Sequence, residues 1–389
     1  MKKFRYTLAR VRGRGAGLGN ELIPWARAFL AAQVIDAICL PPAFGLNTRR
    51  YGRHFGTPRW DWLRNRSLER ILPVVEFDQV AYERHGAGDV VTALRGFAEA
   101  EQLAQRGPFV LVTEGMWGGY RHIRAATDFV RSTLYGSRFA APNLLRISAR
   151  LATDKLIVGM HVRMGDFGAP TENLEAYRGQ FNLALPLAWY RNVARSIRRT
   201  LGEHVQFLVI SDGNAAAVQA IFEDIAIITT SDIADADCSD LLALANADLL
   251  VCSVSSFSTT AAFLSHAPYL WFEPNLQRHD GRAYSIWGHE SAQMRDDSAT
   301  RTGLNRLASA PSPSALARGT PIGFDGAVPP ALLHSLLQNK DASRVERDLI
   351  YYGVVPIQSC GAADVDSVTT IDGASAVSAK REFNASTLS

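Results

Sequence analysis

The residues best suited to chemistry lie in the segment HVRMGDF, which runs from His161 to Phe167 directly after a strongly apolar run. An arginine that leaves a strand end can place its forked guanidinium on a diphosphate and neutralise charge on a leaving group. Arg163 is therefore the predicted catalytic cation, and His161 and Asp166 are predicted to bind the same ligand. A core histidine beside a surface arginine is the structural alternative.

A second set of ligand-binding groups is predicted in ADLLVCSVSSFSTTAAF, where Ser255 and Ser256 follow an apolar run and open a helix. Hydroxyls and free amides at a helix start can hold a diphosphate without a cation. Asp240 lies one helix earlier, where a carboxylate could accept two N–H donors from a guanine edge. Ordinary helix N-caps are the structural alternative at both places.

The glycine-rich segment GRGAGLGNEL, residues 13–22, follows the first apolar run of the chain. Gly13, Gly15, Gly17 and Gly19 are predicted to let the main chain turn sharply and approach a ligand closely, and the next helix offers free N–H groups to an anion. The segment lacks GK[ST] and does not fit G-x-G-x-x-G, which excludes a P-loop ATPase and leaves a nicotinamide oxidoreductase without its fingerprint. A structural turn is the alternative.

A rival chemistry comes from the D-x-D formed by Asp235 and Asp237. Metal-dependent transferases use such a pair to hold a divalent cation under a diphosphate. The motif is short and common, and Asp232 and Asp240 make the whole loop acidic. We therefore predict a site that needs no metal and no cofactor, with a metal-dependent enzyme as the alternative.

These motifs lie at the ends of apolar runs that alternate repeatedly with helical segments between residues 155 and 273. That alternation is typical of a parallel, doubly wound α/β sheet. The first 150 residues begin in the same way, with a strand, the glycine loop, a helix and a second strand. Ligands of such sheets bind beyond the carboxyl ends of the strands. We therefore predict an α/β protein with two such domains facing a cleft.

The predicted domain boundaries follow from where this pattern begins and fades. The first α/β domain is expected at 1–148 and the second at 149–275. Residues 276–356 are expected to form an irregular connection and helices that pack back across the domains. The small, polar composition of residues 357–389 predicts a flexible tail.

The 389 residues carry a net charge of only +3, but the charge is uneven. Residues 1–150 hold 23 Lys and Arg against 12 Asp and Glu, and the remainder holds 18 against 26. The basic half predicts either an anionic partner or an arginine-rich surface of no specific purpose. A nucleic acid is not expected, because no compact basic run or aromatic–basic interleaving occurs.

Segments for export and for crossing a membrane are not expected. The chain has no run of 18 apolar residues, and its basic start lacks an apolar core. The cysteines lie far apart, without a CxxC pair or a histidine at zinc-ligand spacing; they are Cys39, Cys238, Cys252 and Cys360. We therefore expect a reduced, cytoplasmic location, with peripheral membrane association left open.

Taken together, the motifs resemble the GT-B fucosyltransferase superfamily: the α1,6-, nodulation, α1,2- and protein O-fucosyltransferases. HVRMGD is similar to its HxRRxD motif, and ADLLVCSVSSFSTTAAF to a segment that begins ADFLVC and passes through paired serines into a helix. GAGLGNEL resembles the opening glycine loop. VISDG resembles a strand ending in SDD or TDD, and Asp212 within it is therefore predicted to bind substrate. The likeness covers scattered motifs from about residue 11 to 273.

The resemblance implies two Rossmann-like domains with GDP-fucose in the C-terminal one, an acceptor on the N-terminal side, inversion at the sugar and no metal. By position, Arg163 would bind the β-phosphate, His161 the ribose or base side, and Asp240 the guanine. Ser255 and Ser256 would hold the diphosphate. Gly19 and Asn20 of the glycine loop would approach the donor from the opposite domain.

The resemblance also suggests a catalytic base and contains one departure. Glu172 lies one residue away from the place where the α1,6 enzymes carry a proposed base, and Glu175 or Asp166 could serve instead. Met164 stands where the second arginine of HxRRxD belongs, so one positive charge is missing. A protein that binds a nucleotide sugar without catalysis therefore remains an alternative, and the acceptor could be a glycan, a lipid-linked sugar, a peptide or a small molecule.

Overall fold

A computed structural model describes most of the chain up to Asn275 and short segments after it. The described residues are 4–10, 16–44, 48–56, 59–85, 90–115, 117, 120–178, 180, 183–265, 267–275, 277–279, 282–286, 319–338 and 354–356. The predicted tail at 357–389 lies outside them, as do Gly13 and Gly15 of the glycine loop.

The first half of the chain forms a four-stranded parallel sheet with helices on both faces. Its strands are β1 (Arg5–Ala9), β2 (Ile38–Leu40), β3 (Val74–Phe77) and β4 (Phe109–Thr113). Its helices are α1 (Leu18–Ile35), α2 (Gly52–Phe55), α3 (Arg59–Ile71), α4 (Gln79–His85), α5 (Val90–Ala100), α6 (Thr127–Tyr135) and α7 (Ala140–Ser148).

The strand order of this sheet is β2-β1-β4-β3. Tyr6 of β1 pairs with Ile38 on one side and with Val110 on the other. The chain thus leaves β1 in one direction and later returns on the other side of it. The topological switch point, where open α/β sheets bind ligands, lies between β1 and β4.

The second half forms a six-stranded parallel sheet, also with helices on both faces. Its strands are β5 (Leu156–Val162), β6 (Val205–Ser211), β7 (Ile227–Thr229), β8 (Leu249–Val251), β9 (Tyr269–Phe272) and β12 (Gly319–Ile322). Its helices are α8 (Leu187–Leu201), α9 (Ala215–Ile221), α10 (Asp237–Ala245), α11 (Ser256–Leu264) and α12 (Pro330–Gln338).

The strand order of the second sheet is β12-β9-β8-β5-β6-β7. The chain runs outward from β5 through β6 to β7 and then crosses to β8 on the other side of β5. Val158 of β5 accordingly pairs with Phe207 on one side and Leu249 on the other. The switch point of this sheet lies between β5 and β8.

An apolar core joins the two halves. The largest core cluster combines α1 residues such as Leu22 and Ile23 with Leu241 and Leu242 of α10 and Phe263 of α11. Helices α10 and α11 of the second sheet therefore also close the core of the first. Among the described residues, no helix has both the length and the apolarity needed to cross a bilayer.

The predicted α/β class is confirmed, with two parallel, doubly wound sheets. One difference concerns the segment that we expected to be irregular after residue 275. Gly319–Ile322 pairs with β9 and extends the second sheet at its edge. Its sequence, GTPI, has no apolar run, and Pro321 is tolerated there because an edge strand leaves one side unpaired. Strands β10 (Gln277–His279), β11 (Arg282–Ile286) and β13 (Val354–Pro356) form a separate antiparallel sheet.

Candidate functional site

The predicted ligand-binding residues of the second sheet collect at one edge. His161 lies at the end of β5, Arg163 follows it, Asp212 follows β6, and Ser253 follows β8. Because these strands are parallel neighbours, their carboxyl ends meet at the same edge. The site therefore lies at the switch point between β5 and β8, where the fold favours a ligand.

His161 sits in a buried cluster of serine hydroxyls. Its Nδ1 atom lies 2.8 Å from Ser258 Oγ, 3.0 Å from Ser253 Oγ and 3.1 Å from Ser255 Oγ. Burial, followed by the nearby charge of Arg163, lowers the pKa of His161 to about 3. The ring is therefore neutral at physiological pH and joins the loop after β5 to the loop after β8.

Ser255 is the N-cap of α11, and its Oγ accepts a hydrogen bond from the Ser258 amide at 3.4 Å. Ser253 donates its hydroxyl to Ser255 Oγ at 3.0 Å. Ser256 is the first residue of the helix and is buried. The paired serines thus begin a helix, as the sequence predicts, and the hydroxyl network fixes the direction of that helix start.

Arg163 is held by two carboxylates. Its Nη1 donates to Asp212 Oδ2 at 2.7 Å, its Nη2 donates to Asp166 Oδ1, and its guanidinium carbon lies 5.2 Å from the Phe167 ring centre. The Nε atom is buried and has no hydrogen-bond partner among the described residues. Two of its donor groups are therefore engaged by the protein itself, and the third remains unpaired.

Asp212 fixes the loop that carries Arg163. Its Oδ1 accepts hydrogen bonds from the amides of Met164 at 2.8 Å and Gly165 at 3.2 Å. A Cβ atom at Gly165 would collide with this carboxylate. Asp212 was predicted to bind substrate, but its observed contacts are those of a residue that positions Arg163.

Sequence reasoning missed two residues of the first half that lie at this site. Arg49 donates from Nη2 to Asp166 Oδ2 at 2.8 Å, so Asp166 is shared by guanidinium groups from both halves. Partial burial raises the pKa of Asp166, but the charges of Arg163 and Arg49 outweigh it and hold the pKa below its usual value. Tyr51 accepts the amide hydrogen of Leu18, at the start of α1, at 2.9 Å. The signal was the position of Arg49, which follows the carboxyl end of β2.

Asp240 lies in the first turn of α10, beyond the carboxyl end of β7. Its Oδ1 atom is buried without a hydrogen-bond partner among the described residues. Burial, with a further contribution from the charge of Asp237, raises the pKa of Asp240 to about 8 despite a hydrogen bond with Thr230. An unpaired buried carboxyl oxygen is costly, so this position favours a ligand that brings N–H donors.

The glycine loop contacts the serine helix directly. A Cβ atom at Gly19 would lie 2.5 Å from the Ser256 carbonyl oxygen and 2.7 Å from Thr260 Oγ1, whereas one at Gly17 would lie 3.9 Å from Ser256 Oγ. Gly17 has an ordinary extended backbone with φ −68°. Gly19 is thus needed for the close approach of α1 to α11, rather than for a sharp turn at the ligand. Asn20 keeps a buried Oδ1 without a partner in the described part of the chain.

The D-x-D carboxylates contact basic side chains of the first half. Asp235 forms an ion pair with Arg53, and Asp237 Oδ2 lies 3.2 Å from Nε2 of the buried His54. Over the residues that the structure describes, no group of three or more metal-ligating side chains occurs. The contacts of this segment are those of a bridge between the two halves.

The predicted catalytic base, Glu172, does not contact the cluster around Arg163 in the described part of the chain. Glu172 is exposed in the loop after β5, and no contact among the described residues joins it to Arg163. Glu175 forms an ion pair with Arg178 at 3.0 Å. The structure thus brings together His161, Arg163, Asp166, Asp212, Ser255, Ser256, Gly17 and Gly19, with Asp240 at the next strand end.

Comparisons with known proteins find related architecture among solved structures. A NodZ α1,6-fucosyltransferase soaked with GDP-fucose is 16% identical, with 70% of this chain and 96% of that chain covered and a TM-score of 0.42. Fucosyltransferase NodZ from Bradyrhizobium is 16% identical over 69% and 95%, at 0.42. POFUT1 in complex with GDP-fucose is 14% identical over 69% and 95%, at 0.39. No protein-family model and no curated protein matches the chain.

Proposed function

We propose that this chain is a glycosyltransferase that takes its sugar from a nucleoside diphosphate, with GDP-fucose as the first candidate donor. The observation that carries the proposal is the meeting of both switch points at one place. The glycine loop after β1 touches Ser256, and the serine loop after β8 touches His161 of β5. A helix start and a guanidinium lie near each other there, and each of them favours a phosphate group.

The donor would lie along the carboxyl edge of the second sheet. Its guanine would donate N–H groups to Asp240, whose Oδ1 has no partner in the described part of the chain and which would release its proton when the guanine binds. Its diphosphate would face the start of α11 and the guanidinium of Arg163. Arg49, from the first half, supports this placement because it supplies a second positive charge, which Met164 does not.

The reaction would need no metal ion, since Arg163 and the start of α11 would neutralise the charge on the departing GDP. Asp235 and Asp237 already pair with Arg53 and His54, which supports this reading over a D-x-D metal site. An acceptor hydroxyl would lose its proton to a carboxylate, with Glu172 as the first candidate. The oxygen would then attack the anomeric carbon opposite the nucleotide, so that its configuration inverts.

One observation favours a second candidate, a protein that binds a nucleotide sugar without transferring it. Both terminal amino groups of Arg163 are engaged by Asp166 and Asp212. If those pairs persist when the donor is bound, the guanidinium cannot follow the charge that develops on the leaving group. Both candidates predict binding, and only the first predicts release of free GDP.

The donor can be tested by thermal shift with GDP, UDP, ADP and dTDP and with their sugar conjugates, each with and without EDTA. We expect selective stabilisation by GDP and GDP-fucose that EDTA leaves unchanged. GDP release from GDP-fucose should then be followed with glycan, lipid-linked, peptide and small-molecule acceptors. Equal response to all four nucleotides would remove the guanine assignment, and a shift abolished by EDTA would favour the metal-dependent alternative.

A further inference from the structure

Helix α3 presents an apolar and aromatic surface outward and polar side chains inward. Trp60, Leu63 and Ile71 are 73%, 45% and 76% exposed, whereas Asp61 and Asn65 are buried. At 100° per residue these three residues fall within an arc of about 80°, and their mean direction lies about 130° from that of the buried pair; Trp62, which is 43% exposed, lies outside that arc. The inward face therefore combines polar residues with Leu68, while large apolar side chains stay exposed, which is unusual for a helix of a globular protein.

The inward polar residues have partners that fix this orientation. Asp61 Oδ1 pairs with Arg64 at 2.7 Å, and Arg64 also donates from Nε to Asn65 Oδ1 at 3.1 Å. Asn65 donates from Nδ2 to the carbonyl oxygen of Pro41 at 3.1 Å. Leu68 packs on the outer face of the first sheet. The helix therefore cannot roll its tryptophan inward without breaking a satisfied buried network.

The outward face is also basic. Arg66 and Arg70 are exposed, and Arg70 lies on the helix between the directions of Leu63 and Arg66. Of the acidic residues of the helix, Asp61 turns inward and Glu69 lies between two arginines, with Oε1 accepting from Arg10 Nε at 2.9 Å and Oε2 lying 3.9 Å from Arg66 Nη1. The half of the chain that carries this helix has the surplus of 23 basic over 12 acidic residues. Its charge is thus complementary to an anionic surface.

We propose that α3 is a peripheral anchor that lies flat on an anionic lipid surface. Tryptophan favours the boundary between headgroups and acyl chains, and leucine and isoleucine insert beside it while arginines pair with lipid phosphates. Thirteen residues give the helix a length of about 20 Å. This proposal goes beyond the proposed transfer reaction and does not depend on it.

The anchor would place the candidate site close to the lipid. Pro41, which α3 contacts through Asn65, directly follows the carboxyl end of β2. Arg49 follows the same strand end and reaches Asp166 of the site. The middle of α3 therefore lies near the carboxyl end of β2, the strand end from which Arg49 reaches the candidate site.

The test is flotation of the full chain with vesicles of phosphatidylcholine, alone or with about 30% phosphatidylglycerol. We expect binding to the anionic vesicles only, weakened by salt. Trp60→Ser with Leu63→Ser should reduce the bound fraction at least 5-fold, and Arg66→Gln with Arg70→Gln should reduce it at least 3-fold. Bromine-labelled acyl chains should quench tryptophan fluorescence of the wild type more than that of Trp60→Ser.

Matched controls distinguish binding through this surface from nonspecific binding to vesicles. Leu145→Ser removes an exposed leucine of α7, and Arg106→Gln with Arg195→Gln removes two exposed charges elsewhere. Both should float like the wild type. The stabilisation by GDP should be the same in every variant. A failure to bind vesicles would therefore not count against the nucleotide site, and a failure to bind GDP would not count against the anchor.

Three results would overturn the anchor. The first is a wild-type chain that stays unbound with anionic vesicles at low salt. The second is equal flotation of the wild type and the Trp60→Ser, Leu63→Ser variant. The third is a dimer in solution that this variant dissolves, which would assign the surface to a second copy of the chain.

Discussion

Arg163 and Asp240 follow strands of the same sheet and are both predicted to bind the donor, yet their surroundings are opposite. Arg163 donates to two carboxylates, one of which it shares with Arg49. Asp240 is half-buried, its Oδ1 atom has no hydrogen-bond partner among the described residues, and its pKa is raised to about 8. The cationic region already holds anions of the protein, whereas the carboxylate region lacks donors.

The difference separates two kinds of binding. A diphosphate at Arg163 would exchange one set of ion pairs for another, so the gain in affinity is small and the value of the charge lies in the transition state. A guanine at Asp240 would supply hydrogen bonds that the described residues do not provide. This contact should therefore increase the affinity for the nucleotide and the selectivity for its base. Mutations in the two regions should therefore alter different quantities.

The largest effect is expected for Arg163→Ala. Loss of a charge-stabilising donor should reduce turnover of GDP-fucose at least ~100-fold, with a much smaller change in the Kd for GDP. Single-turnover GDP release and calorimetric binding measure the two quantities. Arg195→Ala, which breaks an exposed ion pair on α8, is the matched control. Near-normal turnover would remove the mechanism.

The next effect concerns the stability of the empty protein with pH. The folded pKa of Asp240, about 8, exceeds its unfolded value, so the folded state retains a proton that the unfolded chain releases. The contribution of this group is therefore complete below about pH 4 and is lost as the pH rises toward 8. Relative to Asp240→Asn, the wild type should lose on the order of 1–3 kcal/mol between pH 5 and pH 8.

Urea unfolding at the two pH values tests this expectation. Asp232→Asn is the control, because the hydrogen bond from Arg150 lowers the pKa of Asp232 to about 2, outside the window. Parallel curves for the wild type and Asp240→Asn would show that Asp240 is ionised in the fold.

Gly19→Ala tests whether the cationic region depends on the contact between the halves. The new methyl group would meet the Ser256 carbonyl at 2.5 Å, so we expect a loss of about 1–3 kcal/mol in unfolding free energy. Because α11 must shift, binding of GDP should weaken more than binding of guanosine. Gly17→Ala, with its nearest atom at 3.9 Å, should be close to wild type in both measurements. Equal effects of the two substitutions would contradict the close contact.

The smallest effect is expected for Arg49→Ala. It removes the guanidinium that the first half contributes to Asp166, so the Kd for GDP should rise roughly 3- to 10-fold, as for loss of one partly exposed ion pair. The affinity for guanosine, which has no phosphate, should not change. Arg50→Ala is the neighbouring control. A loss of guanosine binding would indicate that Arg49 supports the fold instead.

The sequence predicts the second sheet well because its strands are continuous apolar runs buried on both faces. VQFLVIS coincides with β6, and the helix after the paired serines starts at Ser256. Strand ends then locate His161 and Arg163 at one edge without further information. Short strands were harder to predict from the sequence. VVEF of β3 and GTPI of β12 are recognisable as strands only from the neighbouring strands with which they pair.

Contacts between distant segments could not be predicted. The pattern around Arg49 contains nothing that predicts its partner Asp166, 117 residues further along the chain. The D-x-D of Asp235 and Asp237 likewise left a metal site as an alternative, because its pairing with the first half could not be seen in the sequence. The orientation of helix α3 could not be predicted from hydrophobic periodicity, for a different reason. Its inward positions, Asp61 and Asn65, are polar because a local network satisfies them.

The bare backbone at Gly19 has a consequence for protein engineering. The start of α11 rests on α1 with no side chain between them, and Phe263 completes the core beneath the first sheet. The C-terminal half therefore cannot be exchanged between homologues by itself. A chimera that imports this half from a homologue must also import the matching α1, or the graft will begin with a misaligned helix.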